Sequence, residues 1–127
     1  MRSRSAVASL ILISVLALQA EAVQAQSVEA EVATAVVDRM PQGSGSSFPA
    51  TVGELYVWSR VTDAGGTSIQ HVWMHDGNEY PVTLAIGGSP WRTWSSKAIP
   101  PEWAGEWQVQ IRAQNGTVLE TLSFTVG

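Results

Sequence analysis

The 127-residue chain has no cysteine, which excludes a disulfide, a thiolate metal site and the lipid-modified N-terminal cysteine of a bacterial lipoprotein. Cations are scarce: seven Lys and Arg stand against eleven Asp and Glu. Setting aside Arg2, Arg4 and Glu21, which fall in a segment read below as removed, five cations face ten anions, a net charge of −5 with neutral histidines. Such a balance repels nucleic acid and anionic membrane surfaces at long range, so neither is expected as a partner. Long apolar runs are missing too. Ala6 to Leu18 is uninterrupted but falls short of the roughly 20 residues needed to cross the hydrocarbon core, and stable membrane insertion is not expected. Phe and Tyr are few, two of each, yet there are six tryptophans, all between Trp58 and Trp107.

The N-terminal pattern reads as a secretory signal peptide. Arg2 and Arg4 precede the apolar run, and the following QAEAVQAQ carries small residues at two possible cleavage sites, one leaving Val23 and the other Gln26 first. Export places the protein in the periplasm or outside the cell. Residues 1–25 are thus read as the signal peptide, 26–53 as an N-terminal strand and polar loop, and 54–127 as the tryptophan-rich core of the same single domain. About 100 residues form one domain that can fold alone if its core is dense. With no disulfide, aromatic packing is the natural substitute.

Apolar and polar residues alternate with a period of two after residue 28, punctuated by turns at short intervals. Val28–Val37 fits a first strand or a short helix, and Arg39–Gly53 has no period and reads as a loop. Strands are expected over Glu54–Thr62, Ser68–His75 and Tyr80–Ile86, the last two joined at Asp76-Gly77. The tryptophan-rich segment follows, then strands over Glu106–Ala113 and Val118–Val126 around Asn115-Gly116. In that last hairpin Trp107, Val109, Ile111 and Ala113 share one face, matched by Leu122, Phe124 and Val126. The whole is read as all-β, an immunoglobulin-like antiparallel sandwich of about six to seven short strands, with Trp73 buried on the third beside Ile69 and His71.

A surplus of tryptophan marks a packed core, a ligand platform or both. If Leu55 and Val57 face inward, then Tyr56, Trp58 and Arg60 face out, where two aromatics and a guanidinium suit a sugar ring or a partner protein; the opposite parity buries them instead. Trp91 and Trp94 are three apart and point to opposite faces of an extended chain, so at most one lines the core. Arg92 and Lys97 are a basic pair beside them in an acidic domain. The candidate ligand-binding set is therefore Trp91, Arg92, Trp94 and Lys97, expected to line one exposed surface near Gly87-Gly88, with Tyr56 and Trp58. The bland alternative pairs Arg92 and Lys97 with Glu102 and Glu106. Trp103 is expected to plug the end of the sandwich.

The pieces His71-x-Trp73, Gly77, Gly87-Gly88, Trp91-Arg92-x-Trp94-Ser95-Ser96-Lys97 and Pro101-x-Trp103-x-Gly105-Glu106-Trp107 resemble a bacterial family known as domain of unknown function 2914. The upstream AVVDRMPQG resembles that family's preceding strand and loop, which extends the likeness over nearly the whole mature chain. Ser89-Pro90 departs from it, since relatives tend to carry a charged or polar residue directly before the tryptophan. The resemblance implies an exported or envelope-associated β-domain and no activity.

Patterns for catalysis fail. His71 and His75, four apart on a strand, sit roughly 13 Å apart, whereas ligands of one metal lie within about 2 Å of it; His71 reads as half-buried beside Trp73, and no metal or other cofactor is expected. Ser95-Ser96-Lys97 lacks the S-x-x-K spacing, and Gly87-Gly88-Ser89-Pro90-Trp91 lacks the closing glycine of a nucleophile elbow. No phosphate loop precedes a helix. The expected function is a non-catalytic binding or interaction module of the envelope, taking an envelope glycan or an envelope protein segment, with a structural scaffold whose tryptophans are core as the alternative. N-terminal sequencing of the exported protein is expected to start at Val23 or Gln26; intact Met1 material in membranes would mean an anchor.

Overall fold

The structure is a computed structural model and describes residues 26–127; the expected signal peptide lies outside the described residues. The alternating pattern folds into β1 (Ser27–Ala33), β2 (Ala35–Val37), β3 (Met40–Gln42), β4 (Ser47–Phe48), β5 (Gly53–Thr62), β6 (Ser68–His75), β7 (Asn78–Ala85), β8 (Trp91–Ile99), β9 (Gly105–Ala113) and β10 (Val118–Val126), with a one-turn 3-10 helix over Pro101–Trp103. One sheet runs β1-β5-β8 and the other β4-β10-β9-β6-β7. In immunoglobulin terms these are strands A-B-E against A′-G-F-C-C′, and β4 runs parallel to β10 while the other pairings are antiparallel. The all-β sandwich read from the sequence is the fold observed.

Between the sheets lie Val32, Leu55, Val57 and Val61 from the first sheet and Ile69, Trp73, Trp107, Val109, Ile111 and Phe124 from the second. Trp107 is the hinge of an aromatic stack: Phe124 lies parallel to it at 6.1 Å on one side and His75 at 4.3 Å on the other. Trp103 plugs the end of the sandwich, as expected, with its carbonyl accepting from Trp107 Nε1 at 3.0 Å.

Two stretches differ from the sequence reading. Val28–Val37 is a strand, not a helix, but it breaks at Thr34. The segment read as the loop 39–53 contributes β3 and β4, and β2 pairs with β3 in a small hairpin that folds over the outside of the first sheet. Its turn is built from Asp38 and Arg39, both at positive φ, and two-residue turns of that kind are usually signalled by Asn-Gly or Asp-Gly. The tryptophan-rich segment is the strand β8, completing the first sheet.

Trp107→Ala removes the centre of the aromatic stack and is expected to cost about 3–5 kcal/mol, a large part of a domain's total stability. Arg92→Ala, on the outer face, is expected to stay within about 0.5 kcal/mol. Urea denaturation of the two variants checks this, and equal losses would place Arg92 in the structural core.

Candidate functional site

The outer face of the β1-β5-β8 sheet is organised in rows that cross the strands. Antiparallel register puts Glu29 opposite Arg60 and Arg60 opposite Arg92. The neighbouring row, two residues along and so roughly 7 Å away, is Glu31, Trp58 and Trp94; the next is Ala33, Tyr56 and Ser96. An ionic row thus lies beside an aromatic one. The β2–β3 hairpin leans over both, and the space between forms a groove of about 530 Å³ lined by Glu29, Glu31, Arg39, Trp58, Arg60 and Arg92 among others.

The structure divides the residues singled out in the sequence. Tyr56, Trp58, Arg92 and Trp94 share this outer face, and Trp94 is 37% exposed. Trp91 and Lys97 take the opposite parity; Trp91, at the start of β8, still borders the groove beside Pro90 and Arg92, while Lys97 lies away from it. Trp91 packs on the core against Gly87, where an added Cβ would sit 2.9 Å from the indole, so close approach requires glycine there. Lys97 points to the open side of the sandwich, where its ammonium sits 4.0 Å from the Tyr80 ring centre and 4.9 Å from that of Trp103. Desolvation lowers its pKa. The expectation that Trp91, Arg92, Trp94 and Lys97 line one surface is corrected accordingly, because alternation sends residues at odd spacing to opposite faces.

Trp58 also departs from expectation. It faces out as the parity argument held, yet it is only 3% exposed, because the hairpin lies on it and Arg39 O accepts from its Nε1 at 2.9 Å. Tyr56 is half-buried, and its hydroxyl donates to Glu54 at 3.1 Å; that bond, with the carboxylate's charge, raises its pKa.

Arg92 and Lys97 do not pair with Glu102 and Glu106. Among the described residues the ion pairs are Arg60–Glu29 at 3.8 Å and Arg112–Glu79 at 3.7 Å. Arg92 instead donates to Met40 Sδ at 3.3 Å, and thioether sulfur is a weak acceptor. Three of the five cations in residues 26–127, namely Arg39, Arg60 and Arg92, therefore converge on one groove in an acidic domain. Arg39 and Met40 escaped the sequence reading because the hairpin that carries them has no glycine to announce its turn.

A second groove of about 540 Å³ lies near Met74, His75, Asp76, Glu79, Glu106 and Gln108. Glu79 is already paired with Arg112, and surface carboxylates are the default in an acidic domain, so this groove lacks the charge contrast of the first. Among the described residues no three His, Asp or Glu side chains lie close enough to hold a metal ion.

The buried histidine is the other polar centre. His71 is fully buried, not half-buried. Its Nε2 lies 2.9 Å from Ser59 Oγ and its Nδ1 2.7 Å from Ser95 Oγ. Trp73 Nε1 donates to Ser95 Oγ at 3.1 Å, and Ser59 Oγ donates to Thr93 O at 3.4 Å. One proton arrangement satisfies all of them: Trp73 donates to Ser95, Ser95 to His71 Nδ1, His71 Nε2–H to Ser59, and Ser59 to Thr93. The reverse tautomer leaves the Ser95 hydroxyl proton without an acceptor. Serine beside histidine here is a closed structural chain away from solvent, since Ser59 and His71 have no exposed surface.

With this geometry in view, comparison with known proteins adds a family. The model described as a protein of unknown function, DUF2914, matches residues 66–126, and that segment of the chain belongs to the family. The match is narrower than the resemblance suggested: AVVDRMPQG, which forms the hairpin, lies outside it. It covers β6 to β10 and so carries Arg92 and Trp94, while Arg39, Trp58 and Arg60 precede it. No curated protein matches the chain.

Burial holds the His71 imidazole down at about 4, whereas in the unfolded chain it titrates near 6.5. The unfolded state therefore binds the extra proton first, and stability falls as pH drops from about 6.5 to about 4, then levels. The full loss is about 3 kcal/mol. Urea midpoints across this range are expected to show the fall, and His71→Gln to flatten it between about pH 6.5 and 5. An unchanged slope in the variant would assign the pH dependence to other groups.

Proposed function

We propose that the chain is an exported, non-catalytic binding module of the bacterial envelope, and that the groove between the β1-β5-β8 sheet and the β2–β3 hairpin takes a carboxylated glycan. One observation carries this reading: Arg60 and Arg92 stand directly opposite each other across two strands, with Arg39 above them. Like charges so placed are destabilising, by about 0.2–1 kcal/mol per pair. Among the described residues Arg60 alone of the three has a carboxylate within ion-pair distance, Glu29, and that pair is exposed and long, so it offsets little. A fold that needed only solubility gains nothing from this arrangement. An anionic ligand does: a guanidinium presents paired donors that match a carboxylate. Beside it Trp94 offers an apolar indole face, about one strand repeat of 7 Å from Arg92, a spacing suited to a pyranose ring bearing its carboxylate at one end.

A scaffold role has one observation of its own. Val37 and Met40, paired at the tip of the hairpin, are exposed, a small apolar patch that also fits a partner protein.

The wild-type protein is expected to bind an oligosaccharide of galacturonate units in calorimetry. Binding should weaken as ionic strength rises from about 0.1 M to about 1 M, because the screening length shrinks from about 10 to about 3 Å. Arg60→Ala/Arg92→Ala is expected to abolish it, Trp94→Ala to weaken it, and Lys97→Ala, which changes the other side of the sheet, to leave it unaltered. If wild type binds neither this oligosaccharide nor peptidoglycan fragments, the glycan reading fails; binding of polyglutamate instead would move the proposal to an acidic protein segment.

A further inference from the structure

We infer that the β2–β3 hairpin is a clamp on this groove and that Arg39, at its tip, is a third ligand-binding guanidinium kept there at the expense of backbone strain. The inference rests on the binding reading above and goes further by giving the hairpin a task.

The turn at the tip is the starting point. Asp38 and Arg39 have φ of 51° and 64°, both in the left-handed region. The same chain builds a second two-residue turn of positive φ at Asp76-Gly77, and there the second position is glycine. Glycine adopts this conformation without steric cost, whereas a side chain with a Cβ is penalised. At the hairpin tip the strained position is given to an arginine, so either the backbone or the side chain must explain it.

The backbone does not. What it contributes is the carbonyl that accepts from Trp58 Nε1, and a glycine would present the same carbonyl in the same turn. The side chain does no work within the fold either. It is exposed, and among the described residues no carboxylate lies within ion-pair distance of it. It lines the groove with Arg60 and Arg92. Strain maintained without structural return is the mark of a residue retained for what it binds.

The mounting of the hairpin suits a clamp. It is tied at its base, where Thr34 N donates to Gln42 O at 3.0 Å and Gly45 N to Val32 O at 3.0 Å, and among the described residues its tip carries no such backbone tie to the sheet. Toward its tip it rests on Trp58 and, through Met40 Sδ, on Arg92. A carboxylate entering the groove is a far better acceptor for Arg92 than a thioether. It displaces Met40, and the hairpin settles so that Arg39 meets the anion from the opposite side to Arg60 and Arg92.

The test is Arg39→Gly, with Arg39→Asn as a second variant that also tolerates left-handed φ. Both relieve the turn while leaving its carbonyl in place, so melting temperatures are expected to hold or rise. Affinity for the galacturonate oligosaccharide is expected to fall about tenfold, the loss of one charge-assisted hydrogen-bonding partner. Such opposite movement of stability and affinity is not produced by a residue with a merely structural role. If the variants bind as wild type does while Arg60→Ala/Arg92→Ala does not, the clamp is wrong and the groove stands. If wild type itself does not bind the oligosaccharide, the groove reading fails and takes the clamp with it.

Discussion

The hydrogen-bond chain from Trp73 through Ser95, His71 and Ser59 to Thr93 is the constraint on which the rest of this fold depends. It crosses the sandwich: Trp73 and His71 stand on β6, Ser59 on β5, and Ser95 and Thr93 on β8. An immunoglobulin domain joins its sheets near the tryptophan of strand C by a disulfide from strand B to strand F, whereas here the join runs from strand C to strands B and E. This chain has no cysteine and joins its sheets there by three neutral hydrogen bonds, linking Trp73 and His71 to Ser95 and His71 to Ser59, each worth about 0.5–1.5 kcal/mol net. The sum is comparable with the 2–5 kcal/mol typical of a native disulfide, but the mode of failure differs. Losing one member strands its buried neighbours, and each stranded group costs about 1–3 kcal/mol.

That chain also fixes what the outer surface presents. Ser95 must face inward to take the Trp73 and His71 bonds, and alternation then turns Trp94 and Ser96 outward and Arg92 with them. A slip of one residue in β8 would bury the guanidinium of Arg92 and expose the core serine. The register that places Arg92 against Arg60 is therefore set from inside the sandwich, by neutral polar groups, at no cost to the charge on the surface. The same demand accounts for the tryptophans. Trp73 and Trp107 fill the centre, Trp91 and Trp103 close the ends, and Trp58 seats the hairpin, which leaves Trp94 as the indole whose burial the fold does not require.

How far this was legible in the sequence follows from which strands alternate cleanly. β9 and β10 bury one face of apolar side chains, and their period of two is plain. β8 hides its period because its inward residues are Trp91, Thr93, Ser95 and Lys97: two of them meet the polar chain, and the lysine sits between two aromatic rings at the open edge. An inward charge on an edge strand guards against further pairing, and it erases the hydrophobic signal at the same time. Four of the six residues chosen from sequence, Tyr56, Trp58, Arg92 and Trp94, therefore share the outer face, and Trp91 and Lys97 take the opposite parity. Arg60 could be placed outward by parity, but Arg39, Met40, Glu29 and Glu31 come together only through cross-strand register and a hairpin turn with no glycine. The burial of Trp58 was illegible for the same reason, since the lid over it lay in a stretch without period.

The site straddles the boundary of the family match. The matched segment, residues 66–126, supplies Trp91 and Arg92 to the groove and Trp94 beside it on the same face of β8, while β1, the hairpin and β5 supply Glu29, Glu31, Arg39, Trp58 and Arg60 from outside it. The two halves are not interchangeable in physical terms. β8 alone presents a guanidinium and an indole on an edge strand, which suits many partners weakly. Pairing with β5 adds the opposing arginine, and the hairpin adds a third and restricts entry, turning an open strand face into a groove with a sign and a shape. The matched segment thus holds the exposed indole of Trp94 and one of the three guanidiniums, and the other two come from the strands that precede it.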